Sequence, residues 1–98
     1  MRIYISGQIT DSPNYMTDFA AAELMLTEKG HSVVNPAKVL KEMPEDTNYD
    51  TYMNMSMEML KSCDAIYMLK GWKNSRGANR EYGYALGAEL EIYGGQDV

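Results

Sequence analysis

The chain has 98 residues, a net charge of -5, an isoelectric point near 4.7 and a single cysteine. A chain this short is read as one domain over 1–98 that buries about two-thirds of its unfolded surface, so association would help it. The nine basic residues are scattered, which leaves no positive stripe for a nucleic acid polymer. Cys63 alone cannot form an internal disulfide, and the opening MRIYISG lacks the apolar core of a secretory signal, so a reducing cytoplasm is expected. No apolar run approaches the length of a transmembrane helix, and with one histidine and no CxxC neither a metal site nor a metal cofactor is signalled.

In chain order, Arg2 to Ser6 is rich in β-branched and aromatic side chains and stops at Gly7, which predicts a strand feeding a loop over Gly7 to Thr10. Tyr4 points to one side of that strand, Ile3 and Ile5 to the other. A helix follows, capped by Asp11 or Ser12, with Pro13 in its first turn. Tyr15, Phe19, Ala22 and Leu26 make its apolar face, and Gly30 ends it. HSVVNP is a short strand closed by Pro36, with His31 as a boundary residue. A short helix is expected over Ala37 to Met43, then a polar loop, PEDTN at 44–48, which is expected to be mobile.

YDTYMNMSMEMLKSC, at 49–63, alternates Met like a strand, but its length and its lack of valine and isoleucine predict a helix. Tyr49, Met53, Met57 and Leu60 form one face. Tyr52, Met55 and Met59 form the other, open to coverage by the domain or by a second subunit. Asp64 to Leu69 is a third strand. The loop KGWKNS leads into a helix within NSRGANREYGYALG, and Leu90 to Tyr93 gives a last strand before a frayed GGQDV tail. Alternating strands and helices imply a parallel sheet covered on both faces, with ligands outside the carboxyl ends of its strands.

Glu81 raises the sharpest question. At 100° per residue it shares a face with Gly77, Ala78, Tyr84, Ala85 and Ala88, whereas Arg76 and Arg80 fall elsewhere. An unpaired charge buried there costs several kcal/mol or more. Spacing leaves several readings open: a surface acid, an ion pair with Arg80 or Lys73, or a carboxylate held ionised near a helix N-terminus for displacement at an anomeric carbon. Tyr4 is either a packing residue or a hydrogen-bond donor at the sheet edge. Trp72 either stacks on a base or closes its loop over the core, and Cys63 packs as a small apolar group. No GxGxxG or P-loop is present.

Together, RIYISGQIT, GHSVVNPA, CDAIYMLKGWKNSRGANREYGYALG and the late EIY resemble the nucleoside 2-deoxyribosyltransferase-like superfamily, in particular a group of short bacterial and phage-associated members of unassigned activity. The resemblance implies a three-layer Rossmann-like, flavodoxin-like α/β sandwich with a parallel sheet of four or five short strands. It implies that Glu81 attacks C1' of a deoxynucleoside or its 5'-monophosphate, that Tyr4 orients it, and that the displaced base is exchanged for another base or for water. Ser75, Gly77, Ser6, Gly7 and Gln8, with Trp72 and Arg76, are then substrate-binding candidates, Ser75 standing where phosphate-binding members have serine. Members of the superfamily also carry an acid on the preceding helix that helps protonate the leaving base. The matching position here is Ser56, so Asp64, at the start of its strand, is the candidate substitute. The resemblance further implies a homo-oligomer, dimer or tetramer, through the Met-rich helix 50–62. The alternative is a nucleotide-binding module that uses the same pocket without turnover.

Overall fold

The computed structural model describes residues 1–95. Its elements are β1 (Arg2–Ser6), α1 (Tyr15–Glu28), β2 (Ser32–Val34), α2 (Pro36–Leu40), α3 (Tyr49–Lys61), β3 (Ala65–Met68), a single 3-10 turn (Trp72–Asn74), α4 (Arg76–Gly87) and β4 (Glu91–Gly94). All strand pairs are parallel, in the order β2-β1-β3-β4. The chain thus leaves β1 in one direction to build β2 and returns across it to build β3. That reversal forces α1 onto one face and α3 and α4 onto the other, because parallel crossovers are right-handed. The layering is the three-layer Rossmann-like α/β architecture. Among the described residues no helix is long and apolar enough to cross a membrane.

Strand parity distributes the core. Ile3 and Ile5 pack with Phe19, Ala22 and Leu26 of α1, whereas Tyr4 joins Leu60, Ile66, Met68, Ala78 and Ala85 on the other face. The helix of Met repeats is helical throughout, capped by Asn48 Oδ1, which accepts the Thr51 N–H at 2.8 Å. Its buried stripe is Met53, Ser56 and Leu60 rather than a wholly apolar one, and Tyr52, Met55, Met57 and Met59 are all half-buried by the chain itself.

Several boundaries differ from the sequence reading. Helix α1 begins at Tyr15, not at Asp11 or Ser12, because Ser12 N–H turns back to the Ile9 carbonyl at 3.2 Å and Asp11 takes a left-handed φ of 62°. This turn uses up the residues that would have capped the helix. Helix α2 stops at Leu40, short of Met43, and β4 runs one residue later than read, over Glu91–Gly94. Of the tail, Gly94 ends β4 and residues 96–98 lie outside the described residues.

Candidate active site

Tyr4 and Ser6 are two apart on β1, so both side chains leave the same face of the sheet, toward α4. Helix α4 is capped by Ser75, whose Oγ accepts the Ala78 N–H at 3.1 Å, and it turns Ala78, Glu81 and Ala85 inward. The two small residues let the helix approach the strand closely, and the one long side chain between them meets both hydroxyls. Tyr4 Oη donates to Glu81 Oε2 at 2.6 Å and Ser6 Oγ donates to Glu81 Oε1 at 2.6 Å. Glu81 is 5% exposed, Tyr4 0% and Ser6 1%.

Each carboxylate oxygen is therefore served by a neutral donor, an arrangement that suits the ionised, acceptor-only form. Burial pushes the Glu81 carboxyl above its usual range, and the Ser6 and Tyr4 hydroxyls pull it back. Burial likewise lifts the Tyr4 phenol well above its ordinary value, reinforced by the neighbouring Glu81 charge and hydrogen bond. The ion-pair reading of Glu81 does not hold among the described residues. Lys73 Nζ lies 5.9 Å from the Trp72 ring centroid, the Arg76 guanidinium lies 4.8 Å from that of Tyr49, and Arg80 is exposed. Nor does the helix terminus hold the acid: two hydroxyls of β1 do.

Beside Glu81 opens a cavity of about 680 Å³ at the carboxyl edge of the sheet. This is the switch point between β1 and β3, where the chain reverses direction and the flanking loops part. Tyr4, Gly7, Gln8, Ser75, Gly77 and Glu81 all line it. Gly7 has a steric reason: a Cβ there would lie 2.8 Å from Leu69 Cδ1 and 2.9 Å from Leu69 Cβ. Gly77 lets α4 sit close to α3, where an added Cβ would be 3.1 Å from Met53 Sδ.

Three site expectations are corrected. Asp64 sits at the amino end of β3, in solvent, where its Oδ2 accepts the Arg2 N–H at 3.0 Å. Parallel strands put that end on the far side of the molecule from the cavity, so Asp64 does not face Glu81. Trp72 is 6% exposed and packs on Tyr82, ring centroids 4.6 Å apart, on the core side of its loop. It closes the loop and does not line the cavity; its Nε1 has no hydrogen-bond partner among the described residues. Ser6 is committed to Glu81, which removes it from the loop surface where a phosphate would bind.

The sequence reading missed most of the cavity wall. Tyr15 and Phe19 from α1 and Tyr49, Tyr52 and Met53 from α3 face it, as does Ser56. A signal existed, since in a parallel α/β fold every strand-to-helix loop and every helix start lies at the carboxyl edge. Aromatic residues in the first turns of α1 and α3 belong there. Asp11, Lys41, Glu45 and Arg76 add charge around the opening.

A family model described as a domain of unknown function, DUF4406, matches residues 1–93. Two solved structures are similar in fold. A 2-deoxyribosyltransferase from Bacillus psychrosaccharolyticus aligns with a TM-score of 0.77 at 16% identity, over 96% of this chain and 71% of that one. A 2-deoxyribosyltransferase from Leishmania mexicana aligns with a TM-score of 0.71 at 21% identity, over 95% of this chain and 62% of that one. The chain thus spans less than two-thirds of the Leishmania protein. A search of curated proteins gives no match.

Proposed function

This chain belongs to the DUF4406 family, and we propose that it cleaves the N-glycosidic bond of a deoxynucleoside or deoxynucleoside 5'-monophosphate through a covalent deoxyribosyl-Glu81 intermediate. The observation that carries this reading is the carboxylate itself: buried beside an open cavity, free of any ion pair among the described residues, with a hydroxyl donor on each oxygen. The fold shared with two 2-deoxyribosyltransferases supports it.

Tyr4 lines the cavity and Ser6 does not, which favours Oε2, the oxygen that Tyr4 holds, as the attacking atom. Oε2 attacks C1' as the bond to the base breaks, and Oε1 becomes the carbonyl oxygen of the ester. When water or a second base attacks C1', both hydroxyls are in place to receive the returning carboxylate charge. Donors that meet a charge without reorganising are the usual source of large rate effects. The Ser75–Gly77 turn opens α4, whose first N–H groups and positive end suit a 5'-phosphate.

The test is incubation with the four deoxynucleosides and their 5'-monophosphates, followed by chromatography for free base. Release by the wild type and none by Glu81→Gln is the expected result. Release that persists in Glu81→Gln overturns the covalent role. A second reading, binding without turnover, is favoured by one observation: the buried stripe of α3 presents the Ser56 alcohol to the cavity where a proton donor would serve the leaving base. Thermal stabilisation by a nucleotide with no base released supports that reading instead.

A further inference from the structure

Resting on Glu81 as the nucleophile, we propose that the substrates are N-glycosides whose base is positively charged before the bond breaks, such as purine nucleosides alkylated at N7.

A neutral purine or pyrimidine leaves as an anion unless a proton reaches it, and a positioned acid contributes about 10²- to 10⁴-fold. Among the described residues lining the cavity, none is built to give that proton. The Tyr4 hydroxyl is engaged with Glu81, and burial beside that charge makes its proton harder to release. Ser56 offers only an alcohol. Asp11 and Glu45 lie exposed on loops at the opening, and Lys41 and Arg76 are exposed cations. The single histidine, His31, lies at the amino edge, where its Nδ1 is 3.4 Å from the Met1 nitrogen.

A base that is already cationic needs no donor. The bond from Oε2 to C1' forms as the bond from C1' to N9 breaks, and its electron pair enters the ring and cancels the charge, so the base departs neutral. Water then adds to C1', its proton passes to solvent, and Glu81 is released as a carboxylate. The walls suit such a ligand. Tyr15, Tyr49 and Tyr52 line the cavity, and the Arg76 guanidinium, itself a flat delocalised cation, lies 4.8 Å from the Tyr49 ring centroid. Aromatic faces attract cations of this kind.

The experiment compares 7-methyl-2'-deoxyguanosine with 2'-deoxyguanosine, each as nucleoside and 5'-monophosphate, with Glu81→Gln as the blank for spontaneous loss of base. Release from the methylated compound should be at least about 10²-fold faster. Its rate should not rise in acid, whereas any rate on the neutral compound should climb as pH falls and the base protonates in solution. The variant Ser56→Asp, which puts a carboxyl where the alcohol is, should narrow the gap between the two. Equal Glu81-dependent rates on both compounds overturn this inference and leave glycosidic cleavage standing. No release from either, with the wild type folded, overturns the nucleophile reading and this inference with it.

Discussion

The two edges of the sheet each carry a carboxylate that accepts hydrogen bonds from β1, and they differ in everything else. At the amino edge Asp64 takes the Arg2 N–H in open solvent. At the carboxyl edge Glu81 takes two side-chain hydroxyls inside the protein. The first interaction competes with water and ties two strands together for about 1 kcal/mol. The second takes the place of most of the water around the carboxylate, so the acid depends on its two partners and they hold it in one orientation. The lesson is that residue type and strand contact do not make a site. Desolvation beside a cavity does.

The widest separation between the edges should appear in activity. Glu81→Gln is expected to lower base release by about 10³-fold or more, the scale for a lost nucleophile, and Asp64→Asn to leave it within about twofold. A comparable loss in both variants would break the contrast. Tyr4→Phe removes one hydrogen bond to a charged group, worth about 1.5–3 kcal/mol. It should lower kcat/KM by about 10- to 100-fold with no cavity formed, and Ser6→Ala should cost less, since Ser6 lies behind the acid.

Gly7→Ala tests whether the carboxyl edge is as tightly built as the acid implies. Its Cβ would strike Leu69, which should cost about 1–3 kcal/mol, read as the midpoint of denaturant unfolding. A fourth test uses linkage. Burial lifts the Glu81 carboxyl above its unfolded range in the folded state, so the folded chain binds its proton more tightly. That contribution is full below the ordinary carboxylate range and is lost as pH rises through the raised value. The Tm of Glu81→Gln minus that of the wild type should therefore grow with pH over this interval and then level off; a flat difference would mean that folding does not shift the carboxyl upward. The smallest effect belongs to the amino edge, where Asp64→Asn should change stability by less than about 1 kcal/mol.

Much of this was legible in the sequence. The two-residue period of β1 put Tyr4 opposite Ile3 and Ile5, and the helical period of α4 turned Glu81 inward. The same parity placed Ser6 beside Tyr4, yet its position next to Gly7 drew it toward the loop, because proximity to a turn is visible in one dimension and a donor across the sheet is not. Asp64 was misplaced for a related reason. Its spacing marks the start of β3, and only the parallel direction of the strand says that a start lies far from the cavity. The wall of tyrosines was hidden among core positions, since Tyr15 and Phe19 obey the same period as Ala22 and Leu26. What separates them is height along α1, which depends on where Asp11 stops the loop.

The alternation of β1 also makes the acid a proofreader of assembly. A slip of β1 by one residue would bring Ile3 and Ile5 to face Glu81 and leave the carboxylate dry with no donor, at a cost of several kcal/mol. Only the pairing that equips the pocket is comfortable for the chain, so the chemistry proposed for Glu81 and the choice of register rest on the same three side chains.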